Sequence, residues 1–311
     1  MKPSRTHSKG SRRHRGAVST ILAGTLVVAA AVGALSQLLA HVGRASDNPV
    51  ESAVTIPKEP WRLQYVDDFS GSAGASPAGP GWSFHVGAGA GVGMYSASRA
   101  AGHLSGDGQL ILTARIAAGS WQAVQLVGRR QFEAPAGGSL LVESRIKMPV
   151  GAGYWPAFWL LPVQALSDPA VEPRAGEVDV AESVNATNWV AQFLHCGVAK
   201  LRGACAEGPG ARFAVDYFHR FSTVQEKKQW HTYAWLWHRQ GYHSYVSFYI
   251  DNRLQLRITE HEVGWKYWNY AFNHPYVLLY DVALGGWASR PSTKSPRSAS
   301  MRIDYVRVYT Y

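Results

Sequence analysis

The chain has 311 residues, of which 46% are hydrophobic and 17% charged, enough apolar material for a large core and too much for disorder as the main state. Twelve Trp, 15 Tyr and 10 Phe, set among 31 Gly and 16 Pro, suit many short strands joined by turns and exclude a coiled coil. The formal charge of +10 is unevenly spread: residues 1–50 carry seven Lys and Arg against Asp47 alone, so the remainder holds only +4 and offers no nucleic-acid surface.

In chain order, the first feature is an export segment. Six basic residues precede Gly16, and no charged residue follows until after Ala40, with Ile21, Leu22, Leu26, Val27, Val28, Val32 and Leu35 among alanines. Small residues at Gly43 and Ala45 suit a signal peptidase, so residues 1–45 are expected to be a signal peptide and the protein to be secreted. The alternative is a membrane anchor over residues 17–40 with the rest of the chain outside, because the uncharged run approaches the roughly 20 residues that span a bilayer. Residues 46–60, with Pro57 and Pro60, read as a linker, and 61–311 as a single domain.

From there the chain is a series of strand-like segments. Leu110 to Arg115, Leu140 to Met148, Gly176 to Glu182, Tyr233 to Trp237, Tyr245 to Ile250, Tyr276 to Ala283 and Met301 to Tyr309 are rich in β-branched and aromatic residues, and most are bounded by turn residues. Val246, Phe248 and Ile250 alternate with other residues, Asp251-Asn252 supplies a turn, and Leu254, Leu256 and Ile258 resume the alternation, which predicts a hairpin. Short strands without intervening helices predict an all-β, antiparallel two-sheet sandwich. The glycine-rich stretch Gly87 to Gly93 reads as a loop.

Other chemistries fail on spacing. The glycines at 87, 89, 91 and 93 miss the G-x-G-x-x-G register, and His261-Glu262 has Trp265 where a zinc protease needs its second histidine. The elbow-like start at Gly81-Trp82-Ser83 ends in His85 rather than glycine. Cys196 and Cys205 fit a local disulfide in an oxidising compartment, and no further Cys or His pair completes a zinc site.

The informative segment is Gly176-Glu-Val-Asp-Val-Ala-Glu-Ser183. Glu177 and Asp179 share one face of a strand, with Val178 and Val180 on the other; Glu182 is out of phase by one residue. A β-bulge near Ala181 would return Glu182 to the acidic face. Glu177 and Glu182 would then sit about four strand positions apart, roughly 13 Å between Cα atoms. Inward-leaning arms could bring the carboxylates to roughly 5–6 Å, the spacing of retaining glycosidases. Crowded carboxylates raise one another's pKa, which lets one serve as general acid while another stays ionised as nucleophile.

These three residues match the E-x-D-x-x-E pattern of glycoside hydrolase family 16. GYWPAFWLLP at 153–162 and VESRIKMP at 142–149 resemble the strands that precede the catalytic one. HTYAWLWHR at 231–239, FYIDN at 248–252, PYVLLYDVALGGW at 275–287 and IDYVRVY at 303–309 resemble the family's later strands, in order. The resemblance runs from about Trp61 to Tyr311. It implies a concave β-jelly roll with a sugar cleft, a retaining mechanism, and Glu177 as nucleophile, Asp179 as its assistant and Glu182 as acid/base. Trp155, Trp159 and His195 match residues that border the sugar, while Trp237, Trp287, Arg129 and Arg130 are weaker candidates.

The six-residue bulged motif is similar to that of the laminarinase branch, so the expected activity is that of an exported endo-β-1,3-glucanase acting on a polysaccharide as a monomer. The alternatives are an agarase-like or β-1,3-1,4-glucanase or transglycosylase activity, or a non-catalytic β-glucan-binding lectin on the same fold. No cofactor is required. Some members bind a structural calcium through an aspartate of the last strand, which maps to Asp304. Three departures stand out: Gly91-Val92-Gly93-Met94 replaces an Asn and a Glu before Tyr95, Asp281 stands where Asn is common, and Ser139-Leu140 replaces a Tyr-Gly.

Overall fold

The computed structural model describes residues 54–117, 120–168, 171, 174–197, 219–224 and 228–311. The expected export segment, residues 1–45, lies outside the described residues. In chain order the strands are β1 (Arg62–Asp67), β2 (Trp82–Phe84), β3 (Gly87–Ala88), β4 (Met94–Tyr95), β5 (Gly102–Leu104), β6 (Leu110–Ala117), β7 (Ser120–Gly128), β8 (Ser139–Lys147) and β9 (Tyr154–Pro162). They continue with β10 (Glu177–Glu182), β11 (Trp189–His195), β12 (His219–Thr223), β13 (His231–His238), β14 (Tyr245–Ile250), β15 (Arg253–Thr259), β16 (Tyr276–Leu284) and β17 (Ser298–Thr310).

The strands form two faces of an all-β sandwich, and nearly every pairing is antiparallel. One sheet, here the site sheet, runs β2-β7-β16-β9-β10-β11-β12. The backing sheet runs β6-β17-β8-β13-β14-β15, with β1 also on β17. The short two-residue pairing of β4 with β7 is parallel.

Alternation decides what lies between the sheets. Tyr154, Phe158 and Leu160 of β9, Val178 and Val180 of β10, and Leu278, Tyr280 and Val282 of β16 meet Val142 and Ile146 of β8, Trp235 and Trp237 of β13 and Phe248 of β14 in one core cluster. Residues i and i+2 of each strand point the same way, so a strand that buries its β-branched and aromatic set on one side must present the other set outward. Trp237 is fully buried here, which makes it a packing residue.

The predicted hairpin is β14–β15. Ile250 pairs with Arg253, and Asp251 and Asn252 have φ of 50° and 61°, the left-handed pair that a two-residue turn requires. Asp251 tightens it further by accepting from the Thr232 amide at 2.9 Å and pairing with His231 at 2.8 Å.

Two stretches are more ordered than the sequence suggests. From Val54 the linker is docked: Leu254 N donates to Val54 O, Ile56 N donates to Asn252 Oδ1, and Ile56 and Trp61 pack against Leu141, Leu236 and Tyr249. Within the glycine-rich stretch, β3 pairs with β4, and Gly91, at φ +80°, bridges to Leu284 at the end of β16. Added bulk at Gly91 would collide with the Leu284 carbonyl, so the glycine serves a close backbone approach as well as a turn.

Two short helices, Glu260–Val263 and Trp265–Ala271, follow β15. The His261-Glu262 pair falls in the first, where Glu262 completes a capping box with Thr259.

Candidate active site

The outward face of the site sheet carries the acidic motif, and a bulge in β10 puts it there. Asp179 lies opposite Trp159 of β9, Ala181 opposite Phe158 and Glu182 opposite Ala157, so two residues of β10 are spent on one step of β9. On the other side Asp179 faces Phe193 and Glu182 faces Ala191, with the same shift. Val180 and Ala181 are both fully buried in the core. The extra residue therefore restores the phase of Glu182, and Glu177, Asp179 and Glu182 share one face. Glu177 pairs with His195 and Glu182 with Ala191, four register steps of β11, or roughly 13 Å between Cα atoms at about 3.3 Å per residue.

The three carboxylates have different surroundings. Glu177 is half-buried, whereas Asp179 and Glu182 are only 2% and 8% exposed. Burial, and then the charges of Asp179 and Glu177, push the Glu182 carboxyl well above its ordinary range. The Trp155 indole opposes that shift by donating from Nε1 to Glu182 Oε1 at 2.7 Å, and His195 opposes it by charge. Asp179 Oδ2 lies 3.1 Å from His195 Nε2, an imidazole whose side chain is 35% exposed. The buried Glu182 carboxyl thus binds its proton more tightly than an ordinary glutamate, on the same face as the half-buried Glu177, with the buried Asp179 between them in register and the part-exposed His195 against it.

Trp155 and Trp159 lie on this face, as alternation requires. Trp159 Nε1 donates to Asp281 Oδ1 at 3.0 Å, and the Tyr95 phenol donates to Asp281 Oδ2 at 3.1 Å. Burial raises the Asp281 carboxyl to about 7, with the Asp179 charge adding to the effect and the two donors opposing it.

Beside Glu182 stands an aromatic group that sequence reasoning largely missed. Trp287 packs edge-on to Trp155 at 6.0 Å and also contacts Trp189, Phe193 and Phe221. Phe193 stacks on His195 at 5.6 Å. A signal existed: Trp189, Phe193 and His195 share one parity of β11, the parity that faces outward with Glu177 and Glu182. Tyr95 carries no comparable signal, because it reaches Asp281 across 186 residues of sequence. Arg129 and Arg130 turn to solvent, with Arg130 over the Tyr65 ring.

Loops at one end of the sheet are tied together three residues past Glu182. Asn185 Oδ1 accepts from Gly153 N at 2.9 Å and Ser289 N at 3.1 Å, and Gly285 N donates to Gly153 O. This fastens the turn before Trp155, the end of the acidic strand and the loop bearing Trp287 into one unit.

Asp304, the residue to which the resemblance assigns a structural calcium, pairs with Arg145, its Oδ2 lying 2.6 Å from Nη1. Cys196 is buried and disulfide-bonded; the sequence holds one other cysteine, Cys205, outside the described residues.

Comparison with known proteins agrees with this geometry. A family model described as an XgeA-like, catalytic GH16 domain matches residues 113–207, the span from β6 through the acidic strand. A beta-glucanase of Rhodothermus marinus is 28% identical over 81% of this chain and 86% of its own length. A glucan endo-1,3-beta-glucosidase A1 of Niallia circulans is 29% identical over 54% of this chain, which spans 24% of that larger protein. The crystal structure of an endo-1,3-beta-glucanase from Streptomyces sioyaensis superposes with a TM-score of 0.74 at 28% identity, covering 83% of this chain and 99% of that one. The bulged acidic strand and the two-sheet sandwich accord with these relatives, and over residues 113–207 the chain is similar to the catalytic domain of glycoside hydrolase family 16.

Proposed function

We propose that this protein is an exported, retaining endo-β-1,3-glucanase in which Glu182 is the acid/base and Glu177 the nucleophile. The observation that carries the reading is the pairing of a buried Glu182, whose proton is held by its surroundings, with a solvent-accessible Glu177 on the same face of one bulged strand. Glu182 gives its proton to the glycosidic oxygen as the bond from that oxygen to C1 breaks, and a Glu177 oxygen forms a new bond to C1. In the second step water attacks C1, its proton goes to Glu182, and the Glu177–C1 bond breaks to free the sugar and restore both carboxyls.

Asp179, held by His195, orients the nucleophile and keeps negative charge beside Glu182, which delays loss of the acid proton. The half-buried Trp155, Trp159 and Trp287 offer flat apolar faces suited to the axial C–H faces of pyranose rings. The β-1,3-glucan assignment is supported by the names of the Niallia and Streptomyces relatives. Secretion is supported by the basic, then uncharged, N-terminal sequence.

The test is incubation of the purified protein with laminarin in isotopically labelled water, with products analysed by mass spectrometry. Oligosaccharides carrying one label at the new reducing end are expected. Unlabelled products of altered length would indicate transfer to another sugar instead, and binding without any product would refute the enzymatic reading.

A further inference from the structure

Asp281 lies on β16 opposite Ala157 of β9, and Ala157 lies opposite Glu182 of β10. The three residues form one row across the site sheet, with only a methyl group between the two carboxylates. At about 4.8 Å per strand spacing, the outer Cα atoms are roughly 10 Å apart. Both Asp281 oxygens are engaged, one by the Tyr95 phenol and the other by the Trp159 indole.

Trp159 is itself the β9 register partner of Asp179, so the indole that Asp281 holds belongs to the residue next to the middle position of the motif. On its other side Asp281 faces Gln125 of β7, which is neutral. The titratable groups nearest it are Tyr95 on β4, which donates to it, and Asp179 on β10, whose charge it feels, with Glu182 in the same row across Ala157 and His85 packed on the Tyr95 ring at 5.4 Å. Among the described residues no Lys or Arg pairs with it. A buried carboxylate without a cation is costly, and an apolar residue of similar size would pack here at lower cost.

We infer that Asp281 is a positioning residue of the glycosidase site: it fixes the indole of Trp159, the register partner of Asp179, and, when ionised, holds the proton on Glu182 by like-charge repulsion across Ala157. The inference rests on the proposed roles of Glu177 and Glu182. It accords with the Tyr95 phenol, which is raised by burial and feels the charges of both Asp281 and Glu182. Asp281 itself ionises near 7, so it is charged on the alkaline side, where loss of the Glu182 proton ends catalysis.

The experiment measures kcat/KM on laminarin against pH for the wild type, Asp281→Asn and Asp281→Ser, the second neutral variant guarding against a failure of the first to fold. The high-pH limb should move down by about 0.6–1.2 pH units in each, the range Coulomb's law gives for unit charges roughly 10 Å apart at an effective dielectric of about 40 to 20. A uniform loss of rate with that limb in place would mean that Asp281 only supports the fold, and would overturn the inference while leaving the catalytic reading intact. Should the wild type hydrolyse no glucan, the catalytic reading fails. In that case ¹³C NMR of labelled aspartate carboxyls decides the rest: the resonance missing from either variant should titrate near 7, and a titration in the ordinary aspartate range would overturn the charge-coupling claim.

Discussion

Replacing Trp155 by Phe should raise the pH at which activity is lost. The indole Nε1 donates to Glu182 Oε1 at 2.7 Å, and Glu182 is too buried for water to replace that donor freely. An N–H donor favours the ionised carboxylate, so its removal leaves the proton more tightly bound. Hydrogen bonds to charged groups contribute about 1.5–3 kcal/mol. At 1.36 kcal/mol per pKa unit this is a rise of roughly one to two units.

The ring of Phe retains most of the apolar contact with Trp287, so the change is mainly electrostatic. The assay is the initial rate of reducing-sugar release from laminarin across the pH range. The high-pH limb of kcat/KM should move up, opposite in sign to the shift expected for Asp281→Asn. In acid, Glu182 is then more often protonated when it must act as base, so turnover of the covalent intermediate should slow. A limb that stays in place, or moves down, would refute the view that the indole hydrogen bond tunes this acid.

Two further outcomes follow from the same geometry. Glu182→Gln should lose about 10²–10⁴ in kcat, yet be more heat-stable than the wild type at alkaline pH. The folded-state pKa of Glu182 is raised, so its contribution to stability is present below the unfolded value of about 4.3 and is lost as pH rises through the folded one. Glutamine avoids that loss, so the difference in Tm should vanish in acid; a difference that does not vary with pH would contradict this account. Gly91→Ala should lower Tm by about 2–8 °C, since left-handed backbone costs an L-residue roughly 1–2 kcal/mol and the new methyl would press on Leu284 O. It should also weaken the bond from Val92 N to Leu284 O, which slowed amide exchange at Val92 in the wild type would reveal; an unchanged Tm would show that the loop adjusts at no cost.

The acidic strand shows how local rules can suffice. Period-two alternation puts Glu177 and Asp179 together, and the phase error at Glu182 admits one economical repair, the bulge that the register of β10 displays. The hairpin at Asp251-Asn252 was legible for a similar reason, because its turn chemistry and flanking alternation are contiguous in sequence. Gly91 was harder to read. Its need for φ > 0 is common to loop glycines, but its contact with Leu284 depends on a strand nearly two hundred residues away.

By itself, then, the sequence determined the all-β class, the face each motif residue occupies and the chemical type of the acidic triad, since these follow from spacing along one strand. Only the tertiary structure decided that Trp155 grips Glu182, that Asp281 is clamped by Tyr95 and Trp159, and that Trp189, Phe193, Phe221 and Trp287 gather at one end of the site. Those contacts join strands and loops distant in sequence, and which of them meet depends on how the sheet is ordered and how its loops are tied, neither of which any local period encodes.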